Sequence, residues 1–237
     1  MMANGRIATC DAAEARRASA LVATILVAAA GMLATRAAVA AGAAVTVTVT
    51  QGGDKPLAGT VLMLHPLGAP QHPQAPVRAT MDQVNRMFVP DVLVIPVGST
   101  VSFPNTDKVR HQVYSFSPAH RFQLPLYSGK PYPPQHFDRA GLVTLGCNIH
   151  DWMLAYIVVT DAEFFGSTDG SGKWSIKDVP SGRYRMEWWH PRLREFPASD
   201  SREIEVSGTE PVEVRVAIDG GLRPPAMGMH PHSWDAY

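Results

Sequence analysis

Residues 146–153 read GCNIHDWM, and they hold the chain's only cysteine beyond Cys10, with a histidine three residues on and a methionine three further. The stretch lies between two β-like runs, 142–145 and LAYIVVT at 154–160. That places Cys147, His150 and Met153 on a loop. Three side chains can converge from a loop without breaking a ladder of strand hydrogen bonds.

The residue types narrow the chemistry. A thiolate and a thioether are soft donors that favour Cu(I), whereas imidazoles also suit Cu(II). A second imidazole comes from FPNTDKVRHQV at 103–113, which sets His111 at the start of a strand behind an Asn-Thr-Asp turn. His111, Cys147 and His150, with Met153 as weak axial donor, make the ligand set expected of one type 1 (blue) copper site. Zinc is disfavoured because methionine is a poor zinc ligand. A Cys-His nucleophile pair would need an orienting third group and a substrate cleft, so no enzyme is read here.

A lone thiol must also be compatible with its compartment. Arg16 and Arg17 precede an uncharged apolar run, 18–35, which ends in Ala38-Val39-Ala40. This is the layout of a secretory signal peptide, residues 1–40, and predicts a periplasmic or otherwise exported protein by either the general or the twin-arginine route. Cleavage after Ala40 removes Cys10, so Cys147 has no disulfide partner and needs burial or a metal. No later run is apolar enough to span a bilayer, so no stable membrane insertion is expected after cleavage.

Of 21 basic and 21 acidic residues, four and two lie in 1–40, leaving 17 and 19. That balance gives no field for nucleic acid. The remainder reads as all-β. Val45, Val47 and Val49 alternate with threonines, the period-two pattern of a half-buried strand. Residues 60–64 return after a turn, and GAPQHPQAP begins a linker at 67–81. Further strands are expected at 87–96, broken by prolines, and at 100–103, 111–115, 142–145 and 154–160. The Pro- and aromatic-rich connection 116–137 shows no clean period. Beyond 161, strands alternate with Gly-rich turns, and 204–206 and 212–218 add two more.

FPNTDKVRHQV followed by GCNIHDWMLAYIVV resembles the copper-site signature of the cupredoxins, with the C-x2-H-x2-M spacing of the amicyanin-like members; VLVIPVGSTVSF is similar to their second and third strands. Over 82–160 the resemblance implies a Greek-key β-sandwich with His111, Cys147, His150 and Met153 meeting at one end. It further implies single-electron transfer between redox protein partners, with a quinoprotein amine dehydrogenase as a possible donor. The alternative is a non-redox copper carrier or sensor. The chain departs from the family in Gln112 after the first histidine, Ile149 before the second, and the long 116–137 connection.

KPLAGTVLML near the front and STDGSGKWSIKDVPSGRYRMEWWHP near the back resemble two halves of a transthyretin-like sandwich of the carboxypeptidase regulatory type. Residues 43–66 plus 161–219 would form this split domain, with the copper domain inserted in it or adjacent to it, as a scaffold or docking module. Residues 220–237 read as a flexible tail, whose Met227, Met229, His230 and His232 are copper-compatible. His120 and His136 read as ordinary surface histidines. Trp152, beside Asp151, reads as a shield or a partner-facing apolar group.

Overall fold

The computed structural model describes residues 42–129, 131–194, 196, 201–220 and 222–224. The export signal read at 1–40 and the tail side chains Met227, Met229, His230 and His232 lie outside the described residues. Regular structure among the described residues is all β, and no helix is long and apolar enough to cross a membrane.

The chain opens with β1 (Ala43–Gln51), β2 (Lys55–Pro56) and β3 (Val61–Leu67). It continues through β4 (Arg78–Thr80), β5 (Asp82–Val84), β6 (Met87–Val89), β7 (Val92–Pro96), β8 (Ser99–Ser102), β9 (His111–Ser115), β10 (Phe122–Tyr127), β11 (Gln135–Phe137), β12 (Gly141–Gly146) and β13 (Leu154–Thr160). It closes with β14 (Phe164–Ser167), β15 (Lys173–Val179), β16 (Gly182–Trp189), β17 (Arg202–Val206) and β18 (Val212–Ile218).

Strand pairing sorts these elements into two sandwiches. In one, a sheet of order β15-β1-β18, with β2 on β1, faces a sheet of order β14-β3-β16-β17. Strands from both ends of the chain therefore share each sheet. β1 shows why: Val45, Val47 and Val49 are fully buried while the threonines between them are half-buried, and burying each such valine stabilises by about 1.5–3 kcal/mol. They meet Leu62, Leu64, Tyr184, Met186 and Trp188 in one core.

In the other sandwich, a sheet of order β10-β9-β12-β13-β7 faces one of order β11-β8-β4. Its core gathers Phe103, Val113, Phe137, Val143, Leu145, Ile157 and Val159 together with Cys147 and Met153. A third apolar cluster joins the two sandwiches through Val61 and Met63 of β3, Val92 of β7, Tyr156 and Val158 of β13, and Trp189. Both β3 and β13 thus bury opposite faces in different cores, which is why both read as nearly continuous apolar runs.

Several sequence expectations need correction. The linker read at 67–81 ends early, because β4 pairs in parallel with β8 and Met81 is fully buried in the site-bearing core. The aperiodic connection 116–137 contains β10 and β11. Pro125 falls where the β10–β9 register shifts, so the strand sits at a sheet edge that tolerates the missing donor. The run 87–96 is two strands, and β5 and β6 form a hairpin that the sequence did not announce. The tail starts later than 220: Leu222 packs on the first core, and Arg223 donates its backbone N–H to Arg192 O (2.8 Å) and its guanidinium to Pro191 O and Leu193 O.

Candidate metal centre

His111 is the first residue of β9, and Cys147 follows the last residue of β12 directly. Both strands belong to one sheet, with Gly146 opposite Tyr114. A side chain there would have to push Tyr114 aside, since a Cβ at 146 would lie 2.6 Å from the Tyr114 hydroxyl. The close approach of the two strands carries the thiol toward the imidazole.

From Cys147 the loop turns outward through exposed Asn148 and Ile149, back inward at His150, and out again at Asp151 and Trp152 before Met153 is buried. The Met153 N–H donates to His150 O at 2.9 Å, closing the last turn. Asn148 Nδ2 donates to Gln112 Oε1 at 2.8 Å, so the side chain after His111 ties the two ligand segments together.

Strand β9 and the loop bring His111, Cys147 and His150 together: their ligand atoms all lie within 4.8 Å of one another. Their burial is nearly complete for His111 (0%) and Cys147 (3%). Met153 (2%) is buried in the same core as Cys147. The two imidazoles pack with ring centroids 5.0 Å apart.

His111 Nδ1 and His150 Nδ1 are both buried without a hydrogen-bond partner. Such atoms cost about 1–3 kcal/mol each when left unmet, and a bound metal ion would meet them. The other His111 nitrogen, Nε2, lies 3.0 Å from Asp107 Oδ2. A carboxylate can only accept, so in the neutral ring the proton sits on Nε2 and Nδ1 keeps its lone pair. The hydrogen bond from His111 holds the Asp107 carboxyl down at about 2 against the opposing effect of burial, with the Arg86 and Lys108 backbone N–H groups assisting. Burial, more than any neighbouring group, pushes His150 below its ordinary value, so its ring also offers a lone pair near neutral pH. Two neutral imidazoles and a buried thiol with free lone pairs fit a soft-to-borderline metal, copper among them.

The remaining sequence candidates stand elsewhere. The His120 ring packs on Phe122 and Phe137 (centroids 5.2 and 4.6 Å), and burial lowers its pKa. His136 is exposed on β11, and neither histidine joins the group at Cys147. Asp151 is exposed, and the Trp152 ring, 43% exposed, lies 5.1 Å from that of His150.

Sequence reasoning treated Asn105-Thr106-Asp107 only as a turn. In the structure Asn105 Oδ1 accepts the Asp107 N–H (3.0 Å), while Asn105 Nδ2 donates to Val109 O and Tyr127 O. The available signal was a carboxylate four residues before His111.

No protein-family model matches the chain, and no curated protein does. Among solved structures it is similar to a purple cupredoxin from Nitrosopumilus maritimus at 24% identity over 35% of this chain and 99% of that one, TM-score 0.31. It is similar to a copper-containing nitrite reductase from Thermus scotoductus at 27% identity over 47% of this chain, TM-score 0.33, and spans only 28% of that enzyme. An amicyanin variant matches at 23% identity over 34% of this chain and 80% of its own, TM-score 0.31.

Proposed function

We propose that this protein is an exported, cupredoxin-like type 1 copper protein that passes single electrons between redox protein partners, with His111, Cys147 and His150 as principal ligands and Met153 as the weak axial one. The observation that carries this reading is the convergence of one thiol and two imidazoles, each imidazole with a buried, unpartnered Nδ1, at the end of an all-β sandwich. Copper bound there would supply a one-electron couple.

The chain's own residues do the rest. Loop and strand are cross-tied by Asn148 and Gln112, and Gly146 lies against Tyr114, so the donors are held before metal arrives. Preorganised donors need little rearrangement between oxidation states. Burial of Cys147 keeps oxidants from a thiol that has no disulfide partner. Ile149 and Trp152, 49% and 43% exposed, flank half-buried His150 and give a partner an apolar surface close to a ligand ring. The partner class is a redox protein, and the resemblance of the loop to that of the amicyanin-like cupredoxins suggests a quinoprotein amine dehydrogenase as one donor, although loop length does not by itself identify it. The signal-like segment 1–40 supports an exported setting, and the second sandwich serves as scaffold rather than as an enzyme.

Adding Cu(II) to the mature protein is expected to produce an intense visible thiolate-to-copper band that is absent in Cys147→Ser. A colourless wild type would sink the reading. Reversible one-electron voltammetry is expected as well, whereas loss of copper on reduction would indicate a carrier instead.

A further inference from the structure

The residue that decides how His111 presents itself to the site is not a ligand. Asp107 Oδ2 lies 3.0 Å from His111 Nε2 and also accepts the Arg86 backbone N–H at 2.7 Å, while Asp107 Oδ1 accepts the Lys108 N–H at 2.8 Å. Its backbone N–H is held by Asn105 Oδ1 at 3.0 Å. The carboxylate therefore has little freedom to leave the ring.

The Arg86 contact is costly to arrange, which argues that it matters. Asn85 and Arg86 are the two central residues of the β5–β6 hairpin and both have positive φ, 51° and 61°. A two-residue turn of this kind needs positive φ at both positions and usually recruits glycine. An arginine there is strained by about 1–2 kcal/mol and persists only where surrounding structure over-determines it. The hairpin is stapled to the turn it serves: Asp82 accepts the Thr106 N–H (3.2 Å) and hydroxyl (2.9 Å). A chain of fixed contacts thus runs from hairpin to Arg86 N–H, to Asp107, to His111 Nε2, and ends at a buried Nδ1 with nothing in the protein to bind.

We propose that Asp107 is a positioning residue: its carboxylate locks His111 as the Nε2–H tautomer, aims the Nδ1 lone pair at Cys147 and His150, and biases the site toward the more highly charged metal ion. This inference rests on the copper reading above. A carboxylate behind a ligating imidazole strengthens that imidazole as a donor. Its negative charge also stabilises Cu(II) more than Cu(I), because the attraction scales with the charge of the ion.

The experiment uses the mature full-length protein with Asp107→Asn, whose single amide oxygen keeps the acceptor for Arg86 and His111 while giving up the one for Lys108 and the charge, and Asp107→Ala, which removes all of them. Matching backbone amide spectra establish that the variants fold. In metal-free wild type, long-range proton–nitrogen spectra are expected to show His111 as a single Nε2–H tautomer, a state kept in Asp107→Asn and lost in Asp107→Ala. Competition titrations with copper alone are expected to show Cu(II) affinity falling about 10–100-fold in Asp107→Ala, with a smaller loss for Cu(I). If the two losses differ tenfold, the reduction potential rises by about 59 mV for a one-electron couple. Asp107→Asn should raise it in the same direction.

An Nδ1–H ring in the wild type, or a Cu(II)-to-Cu(I) affinity ratio unchanged in both variants while the thiolate band is normal, overturns the proposal and leaves the copper reading standing. A wild type without that band overturns both.

Discussion

Two buried histidines, one in each sandwich, show how this molecule separates structure from function. His190 is 4% exposed, and each of its ring nitrogens meets the main chain: Nε2–H donates to Ala58 O at 3.2 Å, and Nδ1 accepts the Arg192 N–H at 3.1 Å. His111 is 0% exposed, yet only Nε2 is engaged and Nδ1 is left unmet. The same side chain at the same depth is saturated by its neighbours in one sandwich and left one bond short in the other. Thr60 and Thr168 repeat the saturated pattern, with the Thr60 N–H on Thr168 Oγ1 and that hydroxyl on Leu57 O. Burial alone therefore does not set His111 apart; an unspent lone pair within reach of Cys147 and His150 does.

Three perturbations test that contrast. The largest effect belongs to the junction. Trp189 is 1% exposed and packs edge-on to Tyr156 at 5.1 Å, so Trp189→Ala should lower unfolding stability by about 3–5 kcal/mol. A denaturant titration showing less than about 1 kcal/mol would mean that the third cluster does not couple the sandwiches.

The next effect is a pH dependence. Burial, with the nearby Arg192 charge, pushes His190 from 6.5 down to about 4. The unfolded chain then takes up a proton at higher pH than the folded one. The contribution is present in full above 6.5, falls with acidification, and is gone below about 4. For the metal-free protein this amounts to roughly 3 kcal/mol. His190→Gln, which can donate to Ala58 and accept from Arg192, should flatten the profile; an unchanged acid slope would assign it to other groups.

The smallest effect is expected where the lone pair is unspent. His150→Leu in the metal-free protein should leave stability unchanged or raise it by about 1 kcal/mol, while removing metal uptake. A loss as large as that of Trp189→Ala would place His150 among the structural residues.

Legibility followed the reach of each signal. β1 could be read because Val45, Val47 and Val49 repeat at the strand period, and β13 because both of its faces are buried. Three donors were visible because Cys147 and Met153 stand only six positions apart. The β5–β6 hairpin was hidden because its turn is Asn-Arg rather than a glycine pair, and β10 because Pro125 interrupts its register. Asp107 was hidden for a different reason. A carboxylate in a turn is ordinary, and its task appears only when an amide 21 residues upstream and an imidazole four residues downstream are seen on the same oxygen.

The shared walls β3 and β13 bear on how this chain can be cut. Excising residues 78–160 as a minimal module around the candidate centre would strip the cover from Val92, Tyr156 and Val158, turning an interior seam into an adhesive face. Tyr156 stands only three positions past Met153. The piece that looks most portable in the sequence is thus the one least suited to travel alone, and grafting the centre elsewhere means repainting the outer side of β13 first.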